Sequence, residues 1–274
     1  MQVSAHVYVM HIDDGAAFHP GGSNNYFVGD PRDSMVLIDT GEQQRDWTNS
    51  LLHYYEQLGR PRISAILLTH SHHDHIGGLD RIYEAMPAPV RCHPKLVDKL
   101  QTMVDRDAVV ALQPDERVAA SAGITLQSLF TPGHEVDHVS YYLGDEGVLF
   151  TGDCILGGSS TTVRDLATYM QSLTLLSHHP HDIICHGHGP VVPPPRGAQL
   201  VQWYIDHRLE REQQVLAALS KGLGTIEEIT RGVYPADLPA GLRRGAEQNV
   251  ATHLEKLAQE GRIDEIPARY RLRA

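Results

Sequence analysis

The stretch Ile63-Ser64-Ala65-Ile66-Leu67-Leu68-Thr69-His70-Ser71-His72-His73-Asp74-His75-Ile76-Gly77-Gly78 decides the fold. Its first seven residues form a near-continuous apolar run, the mark of a strand covered on both faces. The strand ends in imidazole and carboxylate groups, and Gly77 and Gly78 let the next helix start close by. Imidazole nitrogen and carboxylate oxygen suit zinc and similar divalent ions, with contacts near ~2.0–2.2 Å. Residues two apart along an extended turn can converge on one ion, while Asp74 and His75 serve another. A solvated turn after a strand is the plainer reading of any one such histidine. His70, His72, Asp74 and His75 together within one short turn favour a metal site.

Three later segments repeat the arrangement. Leu129-Phe130-Thr131-Pro132-Gly133-His134 places His134 just beyond a strand. Val148-Leu149-Phe150-Thr151-Gly152-Asp153 does the same for Asp153, and Asp182-Ile183-Ile184-Cys185-His186-Gly187-His188 does so for His188. Each candidate ligand follows an apolar strand and lies beside glycine, as expected where loops at one sheet edge converge on a cleft. Strands are expected at 35–39, 63–69, 124–130, 139–143, 148–151 and 182–185, and a helix from Asp46 to Leu58. The pattern is α/β with mixed strand order, too irregular for a TIM barrel.

Working outward, the 274-residue chain has ordinary globular composition, 41% hydrophobic and 21% charged, which excludes a disordered or fibrous chain. No apolar run approaches the roughly 18 residues of a membrane span. The opening Met1-Gln2-Val3-Ser4-Ala5-His6 lacks a basic n-region, so it does not read as a secretory signal, and a cytoplasmic location is expected. The three cysteines are too few for a disulfide framework. Eighteen histidines and a formal charge of −11 are the unusual figures. All of that charge precedes Trp203, since the last 72 residues hold 11 acidic and 11 basic side chains. The Pro-rich stretch Gly189 to Gly197 precedes the change, giving a catalytic unit over 1–200 and a second unit over 201–274.

In the second unit, Trp203, Ile205, Leu209, Val215, Leu216 and Leu219 give a long helix its apolar stripe. Thr225-Ile226-Glu227-Glu228 is a capping box. Leu242, Ala246, Val250, Leu254 and Leu257 mark a third helix stopped by Gly261. Residues 262–266 and 269–272 can pair as two strands. Three helices and a hairpin are the order of a winged-helix module.

The pattern His70-x-His72-x-Asp74-His75, then His134, Asp153 and His188, resembles the metallo-β-lactamase superfamily across about the first 200 residues. That resemblance implies an αββα sandwich with two divalent metal ions, Zn2+ before Mn2+ or Fe2+, in the cleft between sheet edges. It implies that His70, His72 and His134 hold one metal, that Asp74, His75 and His188 hold the other, and that Asp153 bridges both. It implies hydrolysis by a hydroxide bridging the two ions, with Asp74 and Asp153 the catalytic carboxylates and Asp74 orienting the water or accepting its proton. His73 is expected to point away from the metals, and Cys154 to be a small buried residue.

A bridging aspartate and no signal peptide make antibiotic hydrolysis at most a side activity, since β-lactamases of this fold often carry cysteine or serine there and are usually secreted. Within the superfamily, the stretches Thr131 to His134 with Asp137-His138, Gly152 to Gly157, Gly187 to Val191, and Tyr204 to Arg208 with Arg211 to Gln214 resemble the β-lactamase-like protein 2 group. That likeness implies a single-stranded RNA endonuclease, with fungal acyl-carrier thioesterases of similar architecture as the alternative. The substrate is then a single-stranded RNA or a small acyl thioester. The −11 charge opposes long nucleic acid, and two bound cations soften that objection; Arg243, Arg244, Arg269, Arg271 and Arg273 of the tail could contact phosphates, although a solvated helix face and terminus is the plainer reading. Charge does not settle the split, and RNA stands slightly ahead. Asn24, Asn25 and Tyr26 in a Gly-Gly-led loop, and Ser159, Ser160, Thr161 and Thr162 after Asp153, are candidate substrate contacts, although each is also ordinary turn chemistry. His207-Arg208 is expected to join the two units by packing.

Overall fold

The structure is a computed structural model that describes residues 1–13, 21–157, 160–266 and 269–272. In chain order the first sheet takes β1 (Gln2–Ser4), β2 (Val7–Ile12), β3 (Ser23–Asp30), β4 (Ser34–Ile38), β5 (Arg62–Leu67), β6 (Val90–Cys92) and β7 (Val109–Ala111). Helices α1 (Arg45–Gln57), α2 (His73–Ile76), α3 (Leu79–Ala85) and α4 (Val97–Leu100) connect its strands. The second sheet takes β8 (Arg117–Ser121), β9 (Ile124–Phe130), β10 (Val139–Leu143), β11 (Val148–Gly152) and β12 (Ile183–His186), with α5 (Leu166–Ser177) joining the last two. Then come α6 (Arg196–Ser220), α7 (Ile226–Val233), α8 (Ala240–Gln259), β13 (Ile263–Ile266) and β14 (Arg269–Leu272).

Strand alternation builds the layers, because successive side chains leave a sheet on opposite faces. Val36 and Ile38 of β4 enter the core between the sheets, where they meet Tyr141 and Phe150 of the second sheet. Met35 and Leu37 point the other way, onto Leu51 of α1, Ile82 of α3 and Leu100 of α4. Across the molecule Leu149 and Ile184 turn outward onto Tyr169 and Leu173 of α5 and Leu200 and Tyr204 of α6. Helices, sheet, sheet, helices is the expected αββα sandwich. The order β1-β2-β3-β4-β5-β6-β7 is antiparallel up to β4 and parallel after it, and β12 runs parallel to β11. The carboxyl ends of β5 and β11 therefore emerge at one edge, which is where the ligand loops begin.

The C-terminal helices close on a core of their own, with Val215 and Leu219 of α6, Ile229 of α7, Val250 and Leu254 of α8 and Ile263 of β13. Thr225 caps α7 in a reciprocal box with Glu228, as its sequence predicts. The antiparallel pair β13–β14 supplies the wing. The expected boundary at 200/201 falls inside α6. The first half of that helix packs against α5 and its second half against α7 and α8, so one helix serves both cores. The Pro-rich stretch is a turn before a helix, and its composition does not mark the end of the first core.

Cys92, Cys154 and Cys185 are buried free thiols, and burial pushes Cys92 and Cys154 up to about 12. A thiol reagent at pH 8 should leave all three untouched in the native protein and modify them only after denaturation. Rapid reaction of any native cysteine would contradict this placement. Among the described residues no helix is long and apolar enough to cross a membrane.

Candidate metal centre

The strand β5 delivers Thr69 and His70 beside the end of β4, where Asp39 adopts a left-handed φ of 60°. That conformation turns the Asp39 carboxylate onto the neighbouring chain. Oδ1 accepts from the Thr69 backbone N–H at 2.8 Å and Oδ2 from the Thr69 hydroxyl at 2.8 Å. The same Oδ2 accepts from His75 Nδ1 at 2.7 Å, fixing the ring's tautomer with Nε2 facing inward. His72 precedes and His75 lies within the short α2, so the turn carries both sides of the motif.

The other candidate ligands arrive from the second sheet. Gly152 ends β11 with a φ of 47°, and a side chain there would strike His138 and Thr69. Asp153 follows, its backbone N–H donating to His138 Nε2 at 3.3 Å while His138 Nδ1 is bonded to Thr131 at 2.9 Å. Gly187 similarly has no room for a β-carbon against Asp153, and it brings His188 over the cluster.

The seven residues come together in two groups. Ligand atoms of His70, His72, His134 and Asp153 lie within 4.8 Å of one another, as do those of Asp74, His75 and His188. Asp153 touches both groups. Its Oδ1 is 3.4 Å from His75 Nε2, and its Oδ2 is 3.2 Å from His188 Nε2, 3.8 Å from His134 Nε2 and 4.0 Å from His70 Nε2.

The electrostatics are those of a site built for cations. His70 Nε2, His75 Nε2 and Asp153 Oδ1 are buried polar atoms with no hydrogen-bond partner among the described residues, an arrangement that is costly unless something binds them. Burial, with His75 adding to it, holds His70 well below the ordinary imidazole range. Burial would lower His75 too, but the Asp153 and Asp39 carboxylates outweigh it and hold that ring well above its usual value. Against burial, hydrogen bonds to Asp153 and Asp74 push His188 up to about 9. Burial disfavours charge on Asp153 and Asp74, yet the facing histidines hold both carboxyls below the usual range. The unpartnered buried nitrogen and oxygen atoms form a donor set that fits divalent cations.

A model of the metallo-β-lactamase superfamily matches residues 19–188, and one of the β-lactamase-associated winged helix domain matches residues 225–270. The chain belongs to the metallo-β-lactamase superfamily. Like other members it is of the hydrolase class, with a His/Asp cluster suited to metal ions. A β-lactamase-like protein 2 homolog of Caenorhabditis elegans is 34% identical over 247 residues, covering 89% of this chain and 81% of the relative. An atrochrysone carboxyl ACP thioesterase of Aspergillus fumigatus is 36% identical over 238 residues, covering 79% of this chain and 70% of the relative. A β-lactamase domain protein from Burkholderia ambifaria shares the fold at a TM-score of 0.81 and 17% identity, covering 100% of this chain and 93% of that one.

The candidate substrate contacts of this superfamily member are placed differently from the His/Asp clusters. Tyr26 is buried between the sheets, its ring edge-on to Phe150 and its hydroxyl donating to the His186 carbonyl at 2.7 Å. Asn25 is buried and accepts from Trp47 Nε1 at 3.4 Å, and Asn24 donates to the carbonyls of His186 and Gly189. Asn24 and Tyr26 are spent on the seam between β3 and the His188 loop, and Asn25 on α1, because that stretch is a strand and not an open loop. Thr161 is buried with its hydroxyl 3.1 Å from His134 Nδ1, which is also 2.7 Å from the Thr162 carbonyl. The Ser160 hydroxyl accepts from Arg208, and Ser159 lies outside the described residues.

His73 points outward to Glu42. Arg208 does join the units, donating to the Thr161 carbonyl at 2.9 Å and to Asn249 of α8 at 3.2 Å. Sequence reasoning missed Asp39, Ser23, whose hydroxyl meets His188 Nδ1 at 2.8 Å, and Glu135, whose carboxylate meets His72 Nε2 at 2.6 Å. Of these, Glu135 had a local signal, since it stands next to His134. Ser23 and Asp39 reach the site only through strand pairing.

Proposed function

We propose that this chain is a two-metal hydrolase, zinc being the favoured ion, and that its substrate is an acyl thioester. The sharing of Asp153 between two adjoining ligand groups carries the two-metal reading. Bound divalent ions would supply Lewis acidity and a water of lowered pKa. The chain's own groups do the rest. Asp39, Ser23, the Thr162 carbonyl and Glu135 orient four ligand rings, and Asp74, facing His188 at 3.1 Å, is placed to hold a water proton.

Two observations favour thioester over RNA. The Aspergillus fumigatus thioesterase matches through most of this chain. A cavity of about 490 Å³, walled mainly by Val9, Met10, Tyr54, Pro190 and Val191 with His11 and Asn24 as its polar members, abuts the segment that follows His188, a size and a largely apolar lining that suit an acyl group. Cations at the ligand loops are engaged with protein, Arg164 with Glu135 and Lys99 with the Ser71 carbonyl. RNA, placed ahead by the resemblance, is thus the second reading. Arg244 is exposed on α8, Arg243 is half-buried, and Arg273 lies outside the described residues.

The test is a parallel assay of zinc-loaded protein on acyl thioesters, single-stranded RNA and a β-lactam, with a chelator control. Thioester turnover should dominate and change little between 50 and 200 mM salt. An RNA-cleaving activity that collapses steeply over about that range would reverse the assignment.

A further inference from the structure

The ligand histidines differ in what holds them. His75 leans on Asp39, a buried carboxylate tied to the backbone. His134 is held by a carbonyl and His188 by a hydroxyl. His72 alone among these is held by a carboxylate that also carries an arginine. Glu135 is 7% exposed, and its Oε1 lies 2.6 Å from His72 Nε2 and 2.7 Å from Arg164 Nε. A carboxylate only accepts, so Nε2 carries the hydrogen and Nδ1 is left as the ring's open lone pair. That Nδ1 faces His134 Nε2 at 3.3 Å, which is the interior of the first ligand group.

We infer that Glu135 is a positioning residue that fixes His72 in the Nε2–H tautomer and so selects Nδ1 as its metal-binding atom. The neighbouring rings show why a dedicated partner is needed here. His70 is wholly buried and His134 is 6% exposed, so packing restrains both, while the His72 side chain is 35% exposed. With one side open to water, the ring could flip and present Nε2 instead. The Glu135 carboxylate, anchored to Arg164 on the segment preceding α5, removes that freedom. It also adds negative charge behind the ring, which raises the ligand's basicity. Arg164 moderates this charge and sets the carboxylate's direction. Its own side chain is largely exposed, so it contributes less than Glu135 does.

This inference rests on the two-metal reading, and the experiment separates the two. Zinc is titrated into wild-type, Glu135→Gln and Arg164→Gln protein against a chromophoric chelator. Wild-type protein that takes up no zinc removes the metal reading itself. With the metal reading intact, Glu135→Gln should weaken one of the two ions by about 10–100-fold and leave the other unchanged. Arg164→Gln should weaken it by no more than about fivefold. Two ions bound by Glu135→Gln as tightly as by wild type would overturn the assignment. Should Glu135→Gln fail to fold, the ¹H–¹⁵N spectrum of zinc-loaded wild-type protein decides. His72 must carry its proton on Nε2, and a proton on Nδ1 contradicts the role.

Discussion

Asp153→Ala should abolish hydrolysis and release both metal ions, with circular dichroism unchanged. Asp153 is the group placed within 4.0 Å of ligand nitrogens from both clusters, so its removal takes a donor from each. Losing a hydrogen-bond partner of a metal ligand already costs roughly 10–100-fold in affinity or activity, and losing a shared ligand must exceed that. The charge balance points the same way. His75 and His188 are both raised by Asp153, so its removal takes away a carboxylate that offsets positive charge at this site. Metal analysis by mass spectrometry and turnover of the proposed thioester substrate read the two effects separately. A variant that kept two ions and measurable turnover would refute the bridging position.

What could be read before the fold was known follows a physical division. The strand limits at 124–130 and 139–143 coincide with β9 and β10, because alternation and flanking turn residues are local signals. The residues of the two His/Asp clusters were legible as candidates for the same reason, since they fall in four short segments that each follow an apolar strand. The groups that orient them were not. Asp39 precedes His75 by 36 residues and Ser23 precedes His188 by 165, and only the pairing of β4 with β5 and of β3 with the His188 loop brings them together. Tyr26 and Asn25 were expected in a loop because Gly21-Gly22 reads as punctuation, yet residues 23–30 pair on both sides with β2 and β4. The Tyr26 hydroxyl then serves the seam with the His188 loop, and the Asn25 amide oxygen serves Trp47 of α1. The role of α6 was likewise hidden, since one continuous apolar stripe does not reveal that it faces two cores in succession.

Chelation should lower the melting temperature of the loaded protein by an amount set by mass action, and restoring zinc should reverse it. An ion at about 1,000 times its Kd stabilises the native state by about 4 kcal/mol, and near 2–4 °C per kcal/mol this is roughly 8–16 °C. The metal-free site explains why the loss is large. Buried His70 Nε2, His75 Nε2 and Asp153 Oδ1 have no hydrogen-bond partner there among the described residues, and burial disfavours charge on Asp153. With His188 raised to about 9, it is protonated at neutral pH in the metal-free protein, so zinc uptake should release protons and weaken as pH falls below 9. Each displaced proton contributes about tenfold in affinity per pH unit, so the same zinc concentration should give a smaller thermal shift at pH 6 than at pH 8. Differential scanning calorimetry at the two pH values, with and without chelator, measures both quantities. The C-terminal core contains none of the seven ligands, so an isolated transition from that unit should be insensitive to zinc. A chelator-independent melting curve for the whole chain would mean that the buried donors are satisfied without metal.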